Sequence, residues 1–190
     1  MVAKDYSDTK KTIIATAIKE IDTRGYKELS LRKLADSCGL TTGAFYRHFS
    51  SKDELFTSLM FEISADFIKE NSHKKENLPK PREELLLLGK NIFNLFEKQG
   101  NLLDFLFFNP VSMTVYAQNN KEQDNFPLLN KVHQLIACII KDESLDLDPS
   151  ETFIKIWAFL QGYILLVHKG VTEFSQPLLA STLNSLLIKE

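Results

Sequence analysis

Ser30-Leu31-Arg32-Lys33-Leu34-Ala35-Asp36-Ser37-Cys38-Gly39-Leu40-Thr41-Thr42-Gly43-Ala44-Phe45-Tyr46-Arg47-His48-Phe49 is the stretch that decides the fold of the N-terminal end. Ser30 is the residue type that caps a helix by accepting a backbone N–H, and Leu31, Leu34, Ala35 and Cys38 then share one helical face. Gly39 supplies the backbone freedom that a tight stop needs. Thr41 opens a second short helix through His48, with Leu40, Phe45 and Phe49 as its apolar contacts. Two short helices around such a turn make a helix-turn-helix, and small Ala35 lets the pair approach. With its apolar side turned inward, the second helix presents Thr41, Thr42, Gly43, Ala44, Tyr46, Arg47 and His48. Short donors, a backbone free of bulk and positive charge suit base edges and phosphates, not a packed core.

Upstream, Ile14, Ala17, Ile18 and Ile21 follow the spacing of one helix face, and Gly25 ends that helix. Downstream, Ser51-Lys52-Asp53-Glu54 has the form of a capping box and opens a long helix with Leu55, Phe56, Leu59, Ile63 and Phe67 inside. A polar break follows at 73–81, where Lys74, Lys75, Glu76, Pro79 and Pro81 concentrate. Beyond it the pattern predicts only helices, at roughly 82–99, 102–108, 110–118, 127–141, 150–169 and 176–188. Asp148 and Pro149 begin one of the last two, with Gly170 past its end, and Ser175 with Pro177 begins the other. No segment alternates apolar and polar residues between turn dipeptides, so the fold class is all-α.

The chain has 190 residues, 44% of them hydrophobic and 25% charged, enough to bury a core without disulfides or metals. The net charge of −2 hides an asymmetry: residues 1–52 carry ten Lys or Arg against six Asp or Glu, whereas the remainder is acidic. A basic head on an acidic body suggests a polyanion partner for the head. The longest nearly apolar run, Ile156 to Val167, is twelve residues, against about 20 for a membrane-spanning helix. The start shows no signal-peptide core, and Cys38 and Cys138 lie a hundred residues apart, which suits a reducing, cytoplasmic compartment.

Gly25-Tyr26, then Leu29 through Ala35, then Cys38 through Phe49, then Ser51-Lys52-Asp53-Glu54-Leu55, resembles the DNA-binding domain of the tetracycline-repressor (TetR) family over residues 9 to about 56. The resemblance implies an N-terminal three-helix helix-turn-helix DNA-binding domain, residues 1–52, and a C-terminal helical ligand-sensing and dimerisation domain, residues 53–190. It implies a transcriptional regulator, usually a repressor, that binds double-stranded DNA as a homodimer and needs no cofactor. Thr42, Ala44 and Arg47 would then face bases in the major groove, where Arg can bridge guanine O6 and N7. Ser30, Arg32, Thr41, Tyr46, His48 and Lys52 would hold phosphates and set the register.

The 150–169 helix is apolar nearly all round and must be covered on more than one side. A second copy of the chain is the simplest cover, with Phe153, Trp157, Leu160, Ile164, Leu179, Leu183 and Leu187 as the expected dimer interface. Aromatic density between 85 and 140, mixed with a few polar groups, suits a small-molecule pocket. Phe93, Phe96, Phe105, Phe108, Tyr116, His133 and Gln161 are its candidate lining, and a Phe-rich core is the plainer reading of the same residues. Trp157 through Gly162 is similar to a Trp…His-Gly motif of one family subset, with Gln161 where His would stand.

Two other classes compete. A body that recruits a protein partner is one. A metal-dependent enzyme is the other, but di-iron carboxylate sites need two Glu-x-x-His pairs, and Glu70-x-x-His73 stands alone. No phosphate loop, Gly-x-Ser-x-Gly elbow or His-Glu-x-x-His is present.

Overall fold

The computed structural model describes residues 6–72, 79–119 and 126–188. The first part of the polar break, 73–78, and with it His73, lies outside the described residues. Every regular element among the described residues is helical: α1 (Tyr6–Arg24), a 3-10 turn (Tyr26–Glu28), α2 (Leu31–Ser37), α3 (Thr42–Phe45), α4 (Lys52–Glu70), α5 (Pro81–Phe108), α6 (Ser112–Asn119), α7 (Pro127–Asp142), α8 (Pro149–His168) and α9 (Gln176–Leu186). The chain divides into two compact units, one of residues 1–66 with 99–123, the other of residues 67–98 with 124–190. The helices read at 82–99 and 102–108 are one element, α5, interrupted where Gln99 leaves helical geometry (φ −139°, ψ 53°), and there the second unit gives way to the first.

In the first unit, α1 buries Ile13, Ala17 and Ile21, so the inner stripe includes Ile13, with Ile14 and Ile18 on its half-buried flanks. Tyr26 packs edge-on to Phe56 and against Phe105, and its hydroxyl donates to the Phe108 carbonyl at 2.9 Å. Asn101 Nδ2 donates to the Asp22 carbonyl at 2.8 Å. These contacts bind residues 101–108 to the helix-turn-helix, so its foundation includes a segment about eighty residues downstream. The corner between α5 and α6 is polar but satisfied: buried Asn109 donates to Phe105 O and accepts from Val111 N, and buried Ser112 bonds Asn109 O.

In the second unit, α7 buries Leu128, Leu129, Val132, Leu135, Ile136 and Ile139, the repeat expected of one helix face. Asp148 accepts from Glu151 N at 2.7 Å and Ser175 from Leu178 N at 3.3 Å, capping α8 and α9. A Cβ on Gly89 would stand 3.3 Å from the Leu179 side chain, so a methyl there would press on Leu179 by a few tenths of an ångström. Arg82 closes the other end: its guanidinium donates to both Glu143 carboxylate oxygens (2.9 and 2.6 Å), to Asn184 Oδ1 and to the Leu187 carbonyl.

Candidate nucleic-acid interface

Local rules fix α2 and α3. Ser30 caps α2 by accepting from Lys33 N, and Thr41 Oγ1 caps α3 by accepting from Ala44 N at 3.1 Å. Between them Gly39 adopts φ +69°, a conformation that costs a residue with a Cβ. The amides of Gly39 and Leu40 donate back to Asp36 O and Ala35 O, which satisfies the end of α2. Leu34, Ala35, Phe45 and Phe49 are fully buried and lock the pair. Regular α3 geometry covers only Thr42–Phe45, and residues 46–48 continue as turns, with His48 N donating to Phe45 O.

That core leaves one face of α3 outside. Thr41, Thr42, Gly43, Tyr46 and Arg47 are exposed, Ala44 and His48 half-buried, and Tyr46 keeps 48% of its surface in solvent. Of the three residues expected at bases, Thr42 and Arg47 are exposed and Ala44 is half-buried. A Cβ built on Gly43 meets nothing within 4 Å, so no contact inside the protein demands glycine there. His48 Nδ1 is buried and without a hydrogen-bond partner, which leaves Nε2 as the nitrogen the imidazole can offer outward.

The residues expected at phosphates come from several elements. Ser30 and Arg32 sit at the start of α2, the first half-buried and the second exposed. Lys52 opens α4, where its Nζ donates to the Leu29 carbonyl at 2.9 Å and lies 5.1 Å from the centre of the Phe56 ring. One of three ammonium donors is thus used to hold the head, and the side chain stays half-buried with donors to spare. The α4 cap differs by one residue from the expected box: Ser51 Oγ accepts from Glu54 N, while Glu54 reaches back to the amide and hydroxyl of Ser50. Those Ser50 bonds, with Lys10 nearby, hold the Glu54 carboxyl below the usual carboxylate range.

Sequence reasoning missed Tyr6. Its hydroxyl donates to the Arg47 carbonyl at 2.7 Å and its ring stacks on His48 with centroids 4.3 Å apart. No periodicity links residues 41 positions apart, so only the fold reveals this pair.

The body residues sort differently from the sequence expectation. Phe153, Trp157, Leu160, Ile164, Leu179, Leu183 and Leu187, expected at a dimer interface, lie in the chain's own core, with Trp157 the most exposed of them at 9%. With them α8 and α9 fill the second unit's interior. The face these helices leave in solvent carries Ile154, Ala158, Gly162, Leu165 and Leu166 on α8 and Leu178 on α9, with half-buried Gln161 at its edge.

Of the candidate pocket residues, Phe105 and Tyr116 are buried in the first unit, and Phe108 is half-buried there. Phe105 packs on Phe56 at 5.0 Å, and the Tyr116 hydroxyl is committed to the Leu106 carbonyl at 2.8 Å, its pKa pushed up by burial. In the second unit, Phe93 and Phe96 line one cleft of about 640 Å³ with Val167, Val171, Phe174 and Glu97. His133 stacks on Phe153 at 3.6 Å, and burial lowers its pKa. No helix among the described residues is long and apolar enough to cross a membrane, and no group of three or more His, Cys, Asp or Glu among them could hold a metal ion.

Residues 13–59 match the model of bacterial regulatory proteins, tetR family. Over 101 residues, 53% of the chain, the sequence is 31% identical to the HTH-type transcriptional regulator YerO of Bacillus subtilis (strain 168), covering 34% of YerO. The chain spans between 31% and 58% of the lengths of three such relatives. Among solved structures, RolR with resorcinol superposes with a TM-score of 0.78 at 11% identity, over 97% of this chain and 90% of RolR. FadR of Bacillus subtilis with stearoyl-CoA gives 0.69 at 20% identity, over 93% and 97%. At these identities the likeness to solved structures is one of fold. The family model lies on the helix-turn-helix segment whose caps, turn and free face are described above, so residues 13–59 form a helix-turn-helix similar to that of the tetR family of bacterial regulatory proteins.

Proposed function

We propose that the protein is a sequence-specific DNA-binding regulator of transcription, a repressor that binds a pseudo-palindromic operator as a homodimer and is released by a small, mostly apolar ligand. The observation that carries this reading is the free face of α3 and the turn after it, where Thr42, Tyr46 and Arg47 stand exposed while Phe45 and Phe49 are fully buried. Thr42, Ala44 and Arg47 read base edges, and Ser30, Arg32, Thr41, Tyr46, His48 and Lys52 hold the backbone around them. Relatives bearing regulator names and a fold shared with ligand-bound RolR and FadR support it.

The dimer forms through the outer face of α8 and α9. Ala158 and Gly162 let a partner helix approach closely, and Ile154, Leu165, Leu166 and Leu178 supply apolar area that is otherwise in water. Two-fold symmetry places two copies of α3 about one DNA turn apart, roughly 34 Å. The ligand enters the helical body, with the cleft at Phe93 and Phe96 as its point of access. Because α4 runs from Lys52 in the first unit to Glu70 in the second, a ligand that favours one setting of this helix changes the α3 spacing. A preference of about 1–3 kcal/mol weakens DNA binding roughly five- to 150-fold.

Selection from random duplex DNA tests the reading. An enriched inverted repeat with half-sites one turn apart supports it; enrichment of no sequence refutes it.

A further inference from the structure

Residues 46–48, which carry Arg47 and two phosphate candidates, lie beyond the regular part of α3, which ends at Phe45. At Arg47 and His48 the backbone is held by i→i−3 bonds, Arg47 N to Ala44 O at 3.3 Å and His48 N to Phe45 O at 2.9 Å, which do not by themselves aim an arginine at a base edge with the accuracy that bidentate readout requires. The first residue of α1 supplies what is missing. Tyr6 is 57% exposed, yet both of its functional parts are engaged: the hydroxyl donates to the Arg47 carbonyl at 2.7 Å, and the ring stacks on His48 at 4.3 Å and 30°. The carbonyl it satisfies belongs to the turn after the helix, where acceptors lack intrahelical donors.

We propose that Tyr6 is a positioning residue for DNA readout: it clamps the last turn of the recognition helix, fixes the backbone from which Arg47 projects, and orients His48 so that Nε2 faces the phosphate. The clamp rests on the DNA-binding reading for its purpose but not for its existence. Lys10, one turn further along α1, lies over the Phe49 ring at 4.9 Å, so α1 grips the segment on both sides of His48. The hydroxyl orders a peptide unit and the ring orders a side chain, and the two contributions separate by substitution.

Tyr6→Phe keeps the stack and removes the hydroxyl donor; Tyr6→Ala removes both. Amide hydrogen exchange in the full chain reads the clamp without DNA, and the affinity ratio between the selected site and a shuffled duplex reads its purpose. The expected result is faster exchange at Arg47, His48 and Phe49 in Tyr6→Phe. The affinity ratio falls about tenfold, concentrated at the base pair that Arg47 meets, and falls further in Tyr6→Ala. Unchanged exchange overturns the clamp. Equal weakening on every sequence with unchanged exchange means the hydroxyl touches a phosphate itself, and also overturns it. Faster exchange with an unchanged ratio overturns the role in readout. A wild-type protein that selects no sequence removes the DNA reading and the role in readout together, and exchange then reports the clamp alone.

Discussion

Lys52 Nζ donates to the Leu29 carbonyl at 2.9 Å, which ties the first residue of α4 to the residue just before the Ser30 cap of α2. One ammonium thus joins the start of the helix leading into the body to the start of the helix-turn-helix. Lys52→Met keeps the stem against Phe56 and removes the charge. Binding is expected to weaken uniformly across DNA sequences, with the slope of log affinity against log salt falling by about one. Titrations at four or five salt concentrations measure it; a loss confined to one base position contradicts a phosphate role.

Gly43 separates stability from binding. A Cβ there meets only open space, and the backbone is not in the left-handed region, so Gly43→Ala leaves the fold intact and does not lower its thermal midpoint. DNA affinity is nevertheless expected to fall, because on the proposed reading the added methyl faces the groove. Equal affinity for the variant and wild type would show that α3 does not approach DNA at this point.

Arg82 is the corner post of the second unit, bonding α7 through Glu143 and the end of α9 through Asn184 and Leu187. Arg82→Ala is expected to cost about 1–2 kcal/mol, modest because the ion pair is partly solvated. Urea unfolding checks it. The Arg82 guanidinium holds the Glu143 carboxyl below the usual carboxylate range. Its contribution is therefore present above the unfolded carboxylate pKa and lost as pH falls through the lower folded value, and Glu143→Gln removes that acid-side dependence.

His133 works in a different pH window. Burial against Phe153 lowers its pKa, so the unfolded chain takes up the proton first. Stability is expected to fall as pH drops below about 6.5 toward the folded value. His133→Gln flattens this part of the profile; an unchanged profile assigns it elsewhere.

The outer face of α8 is tested by Gly162→Glu, a charge on an exposed position with open space around it. Sedimentation is expected to show a monomer with unchanged helicity and weakened operator binding. A persistent dimer moves the interface off this face.

The head was legible because its determinants are local. Ser30 and Thr41 announce caps, Gly39 a left-handed turn, and Phe45 with Phe49 a buried side, and all of these act within a few residues. The face of α8 was not, because hydrophobicity alone does not say which of two apolar sides is interior. The chain puts Phe153, Trp157 and Leu160 into its own core and leaves Ile154 and small Ala158 and Gly162 outside. The aromatic set from Phe93 to Gln161 looks continuous in sequence, yet the kink at Gln99 divides it between two compact units. Tyr6 and Arg47 meet only through the fold, as do Tyr26 and Phe108.

The most direct measurement is the affinity of the purified chain for its selected inverted repeat against a shuffled duplex of equal length, near physiological salt. A symmetric reader that presents Thr42, Ala44 and Arg47 in each half-site prefers the repeat by about a thousandfold or more. Equal affinity for the two duplexes would mean that α3 reads no bases, and the account would fail at its centre.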